Sequence, residues 1–251
     1  MRIATAQRER ISPTLEQVKH MIGKMPAGGE IERRNRALVA FTLLTGARDS
    51  AIASMKLKHV NFGDGCVYQD AREVNTKFSK TFTTYFFPVG EEVRQIVTDW
   101  VRFLKEVKLW GNDDRLFPAT RVSLVTARQF EAAGLERKHW STATPIRTIF
   151  CEAFERAGLP YFHPRSLRKT LARLGEQVCG SPEEFKAWSQ NLGHEQVLTT
   201  LMSYGKVASG RQGEIIRGLA APRQAVQTEA EHIAEAVIKR LSGSGVNIQV
   251  Q

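Results

Sequence analysis

Between His59 and Val89 the chain changes its period. The stretches KHVNF, CVYQDAREVNTK and TFTTYFFPV are rich in β-branched and aromatic residues, and Gly63-Asp64-Gly65 separates the first two as a turn would. On either side the apolar residues recur at helical spacing instead. A chain with this one interruption must fold as a mixed α+β domain, mainly helical with a small antiparallel β-sheet. The second hairpin is expected to turn at Phe78-Ser79-Lys80, which sets Lys77 and Lys80 at its tip.

The first helix is expected in SPTLEQVKHMIGKM, with Ser12 as its cap, Pro13 in its first turn, and Leu15, Val18, Ile22 and Met25 on one face. The PAGGE run stops it. A second, from about Ile31 to Thr45, turns Leu38, Phe41 and Leu44 inward and is interrupted by Gly46, leaving Arg48 at a helix-to-helix corner. A short helix follows at ASMKL. After Pro88 the reading is mainly helical, over about 91–107, 123–134, 145–157, 166–178, 182–191 and 197–204, with starts marked by Thr144-Pro145 and by Ser181 with Glu184 three residues later. Residues 1–220 read as one domain without internal repeats. Residues 221–251 read as a helical tail whose Val226, Ile233, Val237 and Leu241 form a stripe, able to pack on its own domain or on a neighbouring subunit.

An excess of 36 Lys and Arg over 26 Asp and Glu gives +10 at pH 7, so a polyanion is a reasonable partner if the charges share a face. Cys66, Cys151 and Cys179 are odd in number and lack C-x-x-C spacing, which argues against a disulfide scaffold or structural zinc and fits a reducing compartment. No run reaches the eighteen or so apolar residues of a membrane span.

Chemistry concentrates at helix ends: TGAR at 45–48, RSLRKT at 165–170, NLGHEQV at 191–197 and SYG at 203–205. Arg165 and Arg168, three apart, can face one groove, and two planar guanidinium forks suit phosphate oxygens better than two ammonium groups would. The competing reading, a solvated helix face with salt bridges, weakens once Arg48, His194 and Tyr204 are considered with them.

In order and spacing these four motifs resemble the tyrosine recombinase (phage integrase) family, and the likeness runs from the PTLEQV helix through Tyr204. The resemblance implies that Arg48 and Arg168 bind a backbone phosphate and that His194 assists them. Tyr204 would attack, leaving a 3′-phosphotyrosyl link, and a hairpin lysine, Lys77 or Lys80, would protonate the 5′-oxygen. It implies double-stranded DNA as partner, a homo-oligomer on DNA such as a tetrameric synaptic complex, no metal or other cofactor, and a cytoplasmic site of action in a bacterium or phage host. Arg165 stands where the family has histidine, and it exchanges an easily deprotonated group for a permanent cation. Tyr204 lies ten residues beyond His194, one more than in many members. Ala51 replaces a common acidic residue, with Asp49 as a candidate substitute for orienting Arg48. His163 reads as a loop histidine. Only RIATAQRERI precedes the first helix, so the chain is expected to be a fragment without an N-terminal clamp domain, or a short relative. Two alternatives remain: a DNA-binding relative that cleaves weakly or not at all, and a type IB topoisomerase.

Overall fold

The computed structural model describes residues 12–126 and 129–194. It is mainly helical, with a three-stranded and a two-stranded antiparallel sheet among these residues. Helix α1 (Leu15–Lys24) is capped by Thr14 rather than Ser12: Thr14 Oγ1 accepts from Gln17 N at 3.1 Å, and Gln17 Oε1 accepts from Thr14 N at 2.9 Å. The expected cap fails because Ser12 would have faced Leu15, whose apolar side chain cannot return a hydrogen bond, whereas Thr14 faces Gln17.

Helix α2 (Glu30–Thr45) is the axis of the core, buried on every side from Ala37 to Thr45. Phe41 meets Phe117 edge-on at 5.3 Å, and Leu38, Leu43 and Leu44 are fully enclosed. At roughly 1.5–3 kcal/mol for each such side chain, tertiary packing rather than helix propensity holds this segment. Thr42 and Thr45 donate to Leu38 O and Phe41 O, so their buried hydroxyls are satisfied. Gly46 ends the helix in the left-handed conformation, φ 61°. A Cβ there would lie 3.0 Å from Leu171 Cδ1 and 3.1 Å from Leu192 Cδ2, so both the backbone and the space demand glycine.

Helix α3 (Asp49–Ser54) begins directly after Arg48, earlier than the ASMKL reading placed it. Leu57 N and Lys58 N donate to Asp114 O and Asn112 O at 2.9 Å, which draws the downstream residues out of helical register. Strands β1 (Val60–Asn61), β2 (Cys66–Gln69) and β3 (Phe82–Tyr85) pair in sequence order, with Val60 opposite Val67 and Gln69 opposite Phe82. The expected second hairpin is therefore shorter, and its tight turn is a long loop from Asp70 to Thr81 with a single 3-10 turn at Lys77–Ser79. The loop leaves the sheet because its polar groups bond elsewhere: Glu73 to Lys56 and Lys58, and Asn75 N to Ser54 Oγ at 2.8 Å.

Helix α4 (Glu91–Arg102) continues through a π-type turn to Val107, as the sequence suggested. The helix expected over 123–134 is instead a hairpin, β4 (Ala119–Thr126) with β5 (Gln129–Glu136). The alanines of QFEAAGLE suit a helix, but distant contacts override them. Arg34, 3% exposed, donates to Pro118 O and Thr120 Oγ1, and Glu30 accepts from Leu135 N. Helices α5 (Thr144–Arg156), α6 (Leu167–Val178) and α7 (Pro182–Asn191) follow the expected bounds, and α2 packs against both α4 and α6. Among the described residues no helix is long and apolar enough to cross a membrane. The expected helix over 197–204 and the tail from 221 to 251 lie outside the described residues.

Candidate active site

One guanidinium joins three of the four motifs. Arg168 sits in the first turn of α6 and is only 8% exposed. Its Nη1 donates to Gly46 O at 2.7 Å, and its Nη2 donates to Leu192 O and meets His194 Nε2 at 3.0 Å. TGAR, RSLRKT and LGH are thereby tied at one point, although Gly46 and Arg168 are 122 residues apart. The left-handed Gly46 turns its carbonyl toward Arg168 and delivers Arg48, the residue that opens α3, to the same place.

An arginine can only donate, so His194 Nε2 accepts and the ring is a neutral imidazole with its proton on Nδ1. Burial, then the charges of Arg168, Arg48 and Arg165, push the His194 pKa down to about 4. Arg168 itself is lowered to about 9 by burial and by Arg48 and Arg165, and Arg48 is lowered by burial and by Arg165. Arg48 Nε is buried with no hydrogen-bond partner among the described residues. Three cations thus crowd together with a donor left over. An anion carrying several oxygens would relieve the repulsion and satisfy that donor at once.

Arg48, Arg165, His194, Lys77 and Lys80 line a common cavity of about 630 Å3, and Arg168 lies behind its wall. A second cavity of about 610 Å3, between β3 and α7, is lined by Tyr85, Phe87, Trp188 and other mainly apolar groups. Size does not separate the two, but charge does. Phe78, Phe82 and Gln190 also line the cationic cavity and were not expected from the sequence. The signal for Phe78 was its position between two lysines. Lys77 Nζ stands 4.5 Å from the Phe78 ring, and Phe78 and Ser79 take positive φ of 62° and 50°.

The remaining expectations divide. Asp49 does not replace the missing acid: its carboxylate bonds Arg147 Nε on α5 at 3.1 Å, and Ala51 is buried. His163 is a loop residue whose Nδ1 accepts from Arg165 N at 3.2 Å, capping the short turn Pro164–Ser166. Arg165 belongs to that turn rather than to α6 itself, yet it reaches the same cavity. Tyr204 lies outside the described residues.

A sequence model of the phage integrase family matches residues 13–211. Among solved structures, XerA recombinase shares the fold with a TM-score of 0.59 at 17% identity, over 88% of this chain and 67% of its own. A lambda integrase dimer bound to a COC' core site, comprising residues 75–356 of that protein, aligns at 0.54 and 17% identity over 83% of this chain and 65% of its own. XerH site-specific recombinase, in a post-cleavage complex with its palindromic difH substrate, aligns at 0.55 and 19% over 80% and 50%. The chain spans from half to about two thirds of the length of these proteins, and at such identities the likeness is one of fold. No curated protein sequence matches the chain.

Proposed function

We propose, from the premise that the chain belongs to the phage integrase family, that it is a site-specific recombinase that cuts and rejoins DNA strands through a 3′-phosphotyrosyl link on Tyr204. The observation that carries this reading is the cationic cavity, where Arg48 Nε has no hydrogen-bond partner among the described residues and the Arg168 tether holds Arg48 and His194 together, an arrangement that suits a phosphate.

In the proposed reaction the Tyr204 oxygen attacks phosphorus, the bond to the 5′-oxygen breaks, and that oxygen takes a proton from the ammonium of Lys77 or Lys80. Arg48 and Arg165 hold the non-bridging oxygens, and their charge counts most as negative charge builds in the transition state. Arg168 acts from behind, fixing Arg48 through the Gly46 carbonyl and holding His194 in one tautomer. His194 is then a neutral ring rather than a further positive charge. Arg165 cannot serve as a base, and His194 Nε2 is engaged with Arg168. The phenol proton therefore passes to solvent water as the oxygen attacks, and the surrounding positive potential assists by favouring the phenolate. No metal enters this scheme. The covalent link conserves the phosphodiester, so a 5′-hydroxyl from another strand can reverse the step without ATP. Exchange between two duplexes calls for a cut on each of four strands, and hence for an assembly of four chains acting on DNA in the cytoplasm.

The test is Tyr204→Phe, which removes one oxygen and keeps the ring. The parent chain should form a denaturation-resistant adduct with a nicked suicide duplex, while the variant should bind an uncleavable duplex normally and form none. Adduct at unchanged yield in the variant would remove Tyr204 from the reaction, and mapping the DNA-linked peptide would identify its replacement.

A further inference from the structure

The loop from Asp70 to Thr81 carries both cavity lysines, yet it is fastened to the body upstream of them and outside the cavity lining. Glu73 Oε1 accepts from Lys56 Nζ at 3.0 Å and from Lys58 Nζ at 2.9 Å, and its Oε2 meets His59 Nε2 at 3.0 Å. His59 is 3% exposed, and its Nδ1 accepts from Lys56 N, so the remaining ring proton is aimed at Glu73. Both lysines also reach Asp113, and the backbone around them is bonded to Asn112 and Asp114. The body side of this contact is thus itself braced.

Two residues on, Asn75 N donates to Ser54 Oγ at 2.8 Å and Asn75 O accepts from Ser50 Oγ at 3.3 Å. Ser50 and Ser54 belong to α3, the helix that Arg48 opens. Across the base of the loop Ala71 N donates to Thr81 Oγ1 at 3.0 Å. The same rigid helix therefore sets Arg48 at its start and the Lys77 stretch along its side.

We propose that Glu73 and Asn75 are positioning residues, which hold Lys77 and Lys80 in register with Arg48 so that protonation of the leaving 5′-oxygen depends on an ion cluster outside the cavity. This rests on the recombinase reading above. Protonation matters only while the leaving atom is oxygen. When the bridging 5′-oxygen is replaced by sulfur, the P–S bond breaks to release a thiolate, whose conjugate acid has a pKa near ~8.5 as in cysteine, and no proton donor is needed.

The variants Glu73→Gln and Ser54→Ala should each cut an ordinary suicide duplex about tenfold or more slowly than the parent. They should cut the 5′-sulfur duplex within about twofold of it and bind an uncleavable duplex with unchanged affinity. In a Lys77→Ala/Lys80→Ala background, Glu73→Gln should add no further loss. Equal losses on the oxygen and sulfur substrates overturn the proposal, because a merely structural role slows both. A parent chain that forms no adduct with either substrate counts against the recombinase reading instead. Hydrogen exchange then decides the positioning claim without cleavage: in Glu73→Gln the amides of residues 72–81 should exchange at least about tenfold faster while α2 and α4 are unchanged, and unaltered exchange overturns it.

Discussion

Lowering the pH should unfasten the candidate site at His194. The ring is partly exposed, accepts from Arg168, and is pushed down to a pKa of about 4 by burial and by three neighbouring arginines. In the unfolded chain a histidine has a pKa near ~6.5, so as pH falls the unfolded state binds this proton before the folded state does. The associated stability is fully present above about pH 6.5 and is lost as pH falls toward 4. The full difference would be on the order of 3 kcal/mol, and solvent access to the ring reduces it to about 1–2 kcal/mol. Urea denaturation of the parent and of His194→Asn, in steps from pH 7.5 to 4.5, isolates the contribution because the other histidines are common to both. The parent should lose about 1–2 kcal/mol more than the variant. Arg165→Ala removes one of the depressing charges and should raise the His194 midpoint seen by NMR. A midpoint at or above the ordinary histidine value, or parallel pH profiles for the two proteins, would refute the neutral, Arg168-bonded ring.

Arg168→Ala strips donors from the carbonyls of Gly46 and Leu192, and after relief of crowding with Arg48 and Arg165 it should destabilise the fold by about 2–4 kcal/mol in urea melts. A loss below 1 kcal/mol would show that the tether is not formed. Gly46→Ala must hold a left-handed backbone against Leu171 and Leu192, and about 2 kcal/mol or more should be lost, with the cost in the same assay falling to near zero if the turn can relax. DNA affinity should fall steeply with salt, with a log–log slope of about −0.9 for each phosphate neutralised, and a flat dependence would exclude the cavity as a DNA contact.

What the sequence made legible is what local chemistry decides. The glycine stop after Thr45, the Ser181–Glu184 box and the spacing of Leu38, Phe41 and Leu44 each express a preference satisfied within a few residues, and each appears in place. Apart from the first cap, decided locally by Thr14 and Gln17, the errors arose where a distant partner overrode a local preference. QFEAAGLE forms a strand because Glu30 claims its own Leu135 amide and Arg34 the Pro118 carbonyl beside its partner strand, and the second hairpin opens because Glu73 and Asn75 bond to the body. The site was legible as a set of residue types, and Arg48, Arg165, Lys77, Lys80 and His194 do share a cavity. Their division of labour was not. That Arg168 is buried behind the wall follows from the Gly46 and Leu192 carbonyls, which no periodicity reveals.

The acceptors chosen for Arg168 carry a further meaning. Two are peptide carbonyls, whose partial charge orients a guanidinium without cancelling it, the third is the neutral His194 ring, and Asp49, the acid adjacent to Arg48, is engaged by Arg147. Guanidiniums held in this way would grip a phosphate from any stretch of nucleic acid with equal readiness. Such a socket has no means of knowing where on a genome it is. In a recombinase of the kind proposed, the address must then be read by surfaces other than this cavity, so altering those surfaces should redirect the chemistry without weakening it.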